Sequence, residues 1–392
     1  MTVGRSLRVG LDATPLLGPR TGVGHYVTCL VRALVELGPE ESELEEVVLV
    51  PFSWRGTRDL PAVPPWDDPS GSGSGSGSRV DSRVRYGSRR VPARLLREGW
   101  ARGNWPPVEW FAGAVDVFHA TNFVAPPARR AGLVVTVHDL SYLRYPEMVS
   151  AASARYRELV PRGIARGAVV CTPTAAVAAE LAEAYRVPAE RLVVTPLGVG
   201  PEWLQAQAPD SDWLVERGLP EHYLLFVGSR EPRKNLATLL AAYRQLPPGP
   251  DRPALVLAGP QGWGEALDLR GVITPGYLPD EDLLRVVAGA AALVFPSWYE
   301  GFGFPPLQAL AAGTPVVAAD IPALREVTGG QAELVDPADA DALAAALAKV
   351  LAGGDGGPAA RAARAAHAAA FTWSATARAT LGAYRLAAAR RP

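Results

Sequence analysis

A carboxylate, two glycines and a proline pair stand together in Pro296-Ser297-Trp298-Tyr299-Glu300-Gly301-Phe302-Gly303-Phe304-Pro305-Pro306-Leu307-Gln308. The apolar run Leu293–Phe295 precedes this stretch, and a helical pattern from Leu307 to Ala312 follows it. Glu300 therefore falls where a strand hands over to a helix, and an open parallel α/β sheet binds ligands at such strand ends. Glycines there let the main chain approach a ligand, and free N–H groups at the helix start suit a phosphate or a sugar oxygen. A second stretch, Gly228-Ser229-Arg230-Glu231-Pro232-Arg233-Lys234-Asn235, follows the run Leu224–Val227 and opens the helical pattern Leu236–Gln245. Arg230, Arg233 and Lys234 place three cations beside a helix N-terminus, a suitable cradle for a diphosphate. A solvated helix start is the plain alternative. Only Lys234 and Lys349 are lysine among 39 basic residues, so a lysine inside a motif stands out. The stretch is no P-loop, because Gly-x4-Gly-Lys-Ser/Thr is absent.

Weaker signals accompany these two. His138, in Thr136-Val137-His138-Asp139, closes another apolar run and could hydrogen-bond into a cleft or serve as a satisfied structural histidine. Asp139 could orient it or cap the next helix. Gly22 and Gly24 open the helical pattern Tyr26–Leu37, either as a ligand-approaching turn or as a turn with no ligand. Val27 stands where a dinucleotide fingerprint would have its third glycine. The pairs Asp210/Asp212, Asp280/Asp282 and Asp339/Asp341 lie in connections or at helix starts, where acids cap helices, so no metal site is expected.

The elements that must hold these residues are short apolar runs alternating with helical segments. In the first half they are Leu7–Leu11, Val47–Phe52, Val115–His119, Leu133–Val137, Val169–Cys171 and Leu192–Val194. In the second they are Tyr223–Val227, Leu255–Ala258, Val272–Ile273, Leu293–Phe295, Pro315–Ala318 and Glu333–Val335. Such runs predict parallel strands covered on both faces. At 392 residues, two α/β domains are expected, with Gly198–Pro220 as their connection. A net charge of −1 argues against a nucleic-acid partner. Cys29 and Cys171 read as buried thiols in a reducing compartment. No apolar run reaches the length of a membrane span, and no signal-peptide core opens the chain, so a cytoplasmic location is expected. Gly71–Ser78 is a Gly-Ser linker, set aside from fold reasoning. The following Arg79–Arg102 holds eight arginines, either a solvated face or a peripheral contact for lipid headgroups or an anionic acceptor.

Taken together, the ordered motifs closely resemble family 4 of the retaining nucleotide-sugar glycosyltransferases. They run from Leu11-Asp12 and Thr21–Tyr26 through His138-Asp139, Pro173-Thr174, Pro196-Leu197-Gly198, Arg233-Lys234-Asn235 and Gly276-Tyr277-Leu278 to Pro296–Gln308 and Phe371-Thr372-Trp373. The wording Glu231–Asn235 looks most like a mannosyltransferase-like branch. The resemblance implies a GT-B fold: two Rossmann-like domains facing across a cleft, 1–200 and 201–371, with a last helix, 372–392, crossing back to the first. It implies transfer of a hexose, mannose-like by preference, from a nucleotide-diphosphate sugar to a small-molecule, glycan or lipid-linked acceptor hydroxyl, without cofactor or metal.

The resemblance also implies roles. Glu300, with backbone N–H groups of Phe302 and Gly303 beside Gly301, would face the donor sugar. Phe304 and Leu307 would give backbone N–H groups to the phosphates. Lys234 with Arg233 or Arg230 would neutralise the leaving diphosphate. Leu278 would lie against the base, His138 near the reacting sugar, and Gly22 and Gly24 near diphosphate and acceptor. Gln308 departs from the pattern, which has a glutamate there to hold the ribose hydroxyls. A carboxylate accepts from both hydroxyls, whereas an amide offers one acceptor and one donor. A catalytically weakened or non-catalytic sugar-nucleotide-binding protein is therefore the alternative reading.

Overall fold

Thirteen strands form two wholly parallel sheets in the computed structural model, which describes residues 6–18, 21–37, 42–60, 83–87, 93–354 and 357–391. The first sheet contains β1 (Leu7–Asp12), β2 (Leu44–Val50), β3 (Val84–Tyr86), β4 (Val117–Ala120), β5 (Gly132–Thr136), β6 (Val169–Thr172) and β7 (Leu192–Val194). The second contains β8 (Tyr223–Val227), β9 (Ala254–Ala258), β10 (Val272–Gly276), β11 (Ala292–Phe295), β12 (Val316–Ala319) and β13 (Glu333–Val335). Their orders are β3-β2-β1-β4-β5-β6-β7 and β10-β9-β8-β11-β12-β13. Both orders reverse direction beside the first strand of the sheet, as in a Rossmann fold, and open a crevice at the carboxyl ends there.

Each predicted apolar run overlaps a strand, with ends displaced by up to three residues. β3 was not anticipated: only Val84 of its three residues is buried, so it carries almost no apolar signal. Val9, Val47, Val117 and Val134 cover one face of the first sheet, packed against the helices Gly22–Glu36 and Trp373–Ala389. Val48, Phe118, Leu133 and Val170 cover the other. Alternating burial to opposite faces is the two-residue period of a strand.

The last helix starts at Thr372, whose hydroxyl accepts the Ala375 N–H at 3.1 Å. It then runs along β5, β6 and β7 of the first sheet. Its Tyr384 hydroxyl bonds His119 Nδ1 at 2.9 Å, and His119 Nε2 bonds Thr136 Oγ1 at 2.7 Å. Thr136 in turn meets the Tyr26 hydroxyl at 3.0 Å. Burial pushes the His119 imidazole down to about 3, so this chain is neutral.

Gly71–Ser78 lies outside the described residues, as do Arg79, Arg89 and Arg90 of the basic stretch. Arg83 is committed to the Leu37 and Val35 carbonyls, and Arg85 pairs with Glu46 at 3.0 Å. Those two arginines support the domain itself. No helix among the described residues is long and apolar enough to cross a membrane.

Candidate active site

The carboxyl ends of β8 and β11 flank the crevice of the second sheet. β8 leads through Gly228 to the short turn Pro232–Lys234, and β11 leads through Pro296 to Glu300. Lys234 Nζ lies 2.7 Å from Glu300 Oε1, and Arg233 Nη1 lies 3.0 Å from Glu300 Oε2. Three further bonds lock the two loops together. Trp298 N–H donates to the Arg233 carbonyl at 2.9 Å, and Arg233 Nη1 donates to the Tyr299 carbonyl at 2.7 Å. Asn235, in a left-handed conformation, donates to the Pro296 carbonyl at 3.0 Å.

Burial alone would push the Glu300 carboxyl up, but Arg233 and Lys234 override it and hold it at about 2. Glu300 is therefore an anion at any physiological pH. Burial pulls the Lys234 ammonium below its ordinary value, with Glu300 opposing and Arg233 assisting. Burial also acts against Arg233, yet Glu300 and Asp139 outweigh it and raise that guanidinium. Removing one partner of such a cluster leaves an uncompensated buried charge, at about 3–5 kcal/mol.

The first domain meets this site edge-on. A Cβ at Gly301 would lie 1.7 Å from the His138 carbonyl oxygen, so the glycine permits main chain of one domain to touch main chain of the other. Thr174 Oγ1 donates to the Gly301 carbonyl at 3.0 Å. The Tyr299 hydroxyl accepts the Leu140 N–H and donates to Glu180, each at 2.9 Å. Glu326 accepts the Ala175 and Ala176 N–H groups at 2.8 and 3.1 Å, capping the helix Ala175–Tyr185 across the boundary. Sequence reasoning missed the contact roles of Tyr299, which lies inside the Pro296–Gln308 motif, and of Glu180 and Glu326, which carry no local motif.

His138 Nε2 donates to the Thr121 carbonyl at 2.9 Å, which places the ring proton there. Burial lowers its pKa, and its ring packs 5.2 Å from Tyr26. Asp139 bonds Ser141 N–H and Oγ at 2.9 and 2.7 Å, so it stabilises the following turn instead of orienting the imidazole.

A cavity of about 380 Å³ opens between the domains. Gly22, Leu278, Phe304 and Gln308 all line it, together with His25, Glu202 and Glu281. His25, also unanticipated, packs edge-on against Phe304 at 5.5 Å and Trp373 at 5.9 Å. Gly24 is needed for packing: its N–H bonds Thr21 Oγ1 at 3.1 Å, and a Cβ there would lie 2.8 Å from the Pro15 carbonyl. Gly303 takes φ 107° as the cap of the helix Phe304–Ala311. Phe302 is buried against Phe304 and Phe371.

One expectation is corrected. The Leu307 N–H is not available to a phosphate, because it donates to the Gly303 carbonyl at 3.2 Å. Leu307 is four residues past the cap, where the first intrahelical bond forms. Pro305 and Pro306 have no N–H, so Phe304 is the remaining donor of that turn. Of the two candidate arginines, Arg233 joins Lys234 at Glu300, while Arg230 forms no ion pair among the described residues. Asp210 and Asp339 cap helices through Trp213 and Ala342 N–H groups, both at 2.8 Å. No group of three metal-binding side chains occurs among the described residues.

Two Rossmann-like sheets, a last helix returning to the first, and a cavity lined from both domains define a GT-B glycosyltransferase fold. The family model described as Glycosyltransferase Family 4 matches residues 20–203, and that of Glycosyl transferases group 1 matches residues 215–369. The chain is 30% identical over 397 residues to O-antigen chain mannosyltransferase B of Escherichia coli, covering 97% of this chain and 100% of that one. The chain belongs to glycosyltransferase family 4. Sucrose-phosphate synthase from Thermosynechococcus elongatus shares the fold with a TM-score of 0.66 at 21% identity, covering 97% of this chain and 98% of that one. HepE of Anabaena in complex with UDP-glucose does so at 0.63 and 16%, covering 96% and 98%.

Proposed function

We propose that this glycosyltransferase moves a mannose-like hexose from a nucleoside-diphosphate sugar to an acceptor hydroxyl, retaining anomeric configuration and using no metal or cofactor. The observation that carries this reading is the ionised Glu300 held between Lys234 and Arg233 in the loops that follow β8 and β11. The mannose preference follows the name of the Escherichia coli relative, and the nucleotide-sugar donor agrees with the UDP-glucose held by the Anabaena neighbour.

The hard part of such a transfer is charge: negative on the departing phosphate, positive at the anomeric carbon. Lys234 and Arg233 supply fixed positive charge for the first, the task a metal performs elsewhere. Glu300 supplies a fixed anion that accepts sugar hydroxyls. His138 is neutral and donates its one ring proton to Thr121, so it acts as a hydrogen-bonding wall of the site and not as a base. No protein nucleophile is assigned; the departing phosphate takes the acceptor's proton. Domain closure would exclude water.

The test is incubation with a panel of nucleotide sugars and simple glycoside acceptors, with and without a chelator. Release of nucleoside diphosphate, an α-linked product from an α-linked donor and chelator-independent rates are expected. An inverted product or chelator-abolished turnover would overturn the reading. Gln308 on the cavity wall favours a second one, a sugar-nucleotide-binding protein with little turnover, which the same panel would reveal as binding without release.

A further inference from the structure

We propose that Glu202, in the connection between the two sheets, is the carboxylate that binds the ribose diol of the donor nucleotide. This rests on the reading that the interdomain cavity takes a nucleoside diphosphate. A ribose presents two vicinal hydroxyls, and one carboxylate can accept from both. Gln308, on the cavity wall, has a single acceptor oxygen. The wall must supply the other acceptor from elsewhere, and most of it is apolar, formed by Val227, Leu278, Leu283 and Phe304 among others.

Glu202 lines the same cavity and has no hydrogen bond or ion pair among the described residues. It sits in the four-residue helix Pro201–Leu204, which packs on the Gln308-bearing helix Phe304–Ala311. Trp203, 5% exposed, pins that short helix in the core. The Glu202 side chain folds back over Gly200, where a Cβ would meet both of its carboxylate oxygens. Asp280 and Glu281 also line the cavity, but both belong to the first turn of the ten-residue helix Asp280–Gly289, where acids complement the helix dipole.

The test measures Kd for GDP, UDP and ADP, each beside its 2′,3′-dideoxy counterpart, by titration calorimetry. For the nucleotide that binds, the wild-type chain should prefer the ribose form by about 10-fold or more. Glu202→Gln should collapse this preference, Glu281→Gln should retain it, and adding Gln308→Glu to Glu202→Gln should restore it. Glu202 is exposed, so its substitution does not threaten folding. A Glu202→Gln chain that keeps the wild-type preference, or a Glu281→Gln chain that loses it, would overturn the assignment while leaving the nucleotide-sugar reading intact. Binding of none of the three diphosphates would overturn the reading itself.

Discussion

Gly301→Ala adds one methyl group where the two domains touch. The new Cβ would lie 1.7 Å from the His138 carbonyl oxygen and 3.0 Å from Asp139 Cβ. Neither the carbonyl oxygen nor the backbone carrying it can rotate away as a flexible side chain would. Real contacts of this kind do not fall below 3.0 Å, so the backbones must part by about 1.3 Å. The displaced loop carries Glu300, and the opened seam weakens the bond from Thr174 to the Gly301 carbonyl. A misplacement of about 1 Å can cost about 10²-fold in rate, and overpacking costs about 1–3 kcal/mol of stability. Transfer should therefore fall about 100-fold, while Kd for nucleoside diphosphate holds, since Lys234 and Arg233 belong to the second domain. Steady-state transfer, calorimetric binding and small-angle scattering on one preparation would show this. Wild-type transfer would refute the reasoning. So would a lost nucleotide affinity with unchanged domain spacing, which would mean that Gly301 makes room for the donor and not for His138.

Two other outcomes are expected. Lys234→Ala leaves Glu300 with Arg233 alone and should lower kcat by about 10²–10³-fold; an unchanged kcat would remove Lys234 from the mechanism. The second concerns acid stability. His119 binds its proton at about 3 in the fold against an ordinary 6.5, so its contribution is complete above pH 6.5 and is lost as pH falls toward 3. The slope is about 1.4 kcal/mol per pH unit for one such group. Glu300, held at about 2 against an ordinary 4.5, adds its own loss only below pH 4.5, so it does not affect the slope above that pH. His138, also lowered by burial, keeps its share of the upper window. Urea unfolding between pH 6.5 and about pH 5 should show a shallower slope for His119→Gln than for the wild type; equal slopes would contradict the assignment.

Why so much of the fold is legible in the sequence follows from burial. β4, β5, β6, β11 and β12 are buried at every residue, so each reads as a largely apolar run, broken only by His119, Thr136 and Thr172. β3 escapes notice because Arg85 and Tyr86 face solvent, which leaves one apolar residue to signal it. The two halves of the site are legible separately, as a basic strand end and an acidic one. Their union is not: Lys234 and Glu300 are 66 residues apart and meet through strand order, which no local pattern states. The same holds for His119 and Tyr384, 265 residues apart, and for the Tyr299–Glu180 bond between domains. Leu307 shows the opposite limit. A helix start promises free N–H groups, but how many remain depends on the cap and on prolines, and here one donor is already used.

In the proposed reaction Glu300 faces the donor sugar while Lys234 and Arg233 hold its diphosphate. Glu300→Gln separates the two roles. In the resting protein Glu300 occupies both cations, so neutralising it frees them for phosphate. Paired measurement of nucleoside-diphosphate Kd and of transfer rate is the direct test. Tighter nucleotide binding with transfer reduced at least about 100-fold is the predicted result. Weakened nucleotide binding, or transfer at the wild-type rate, would contradict it.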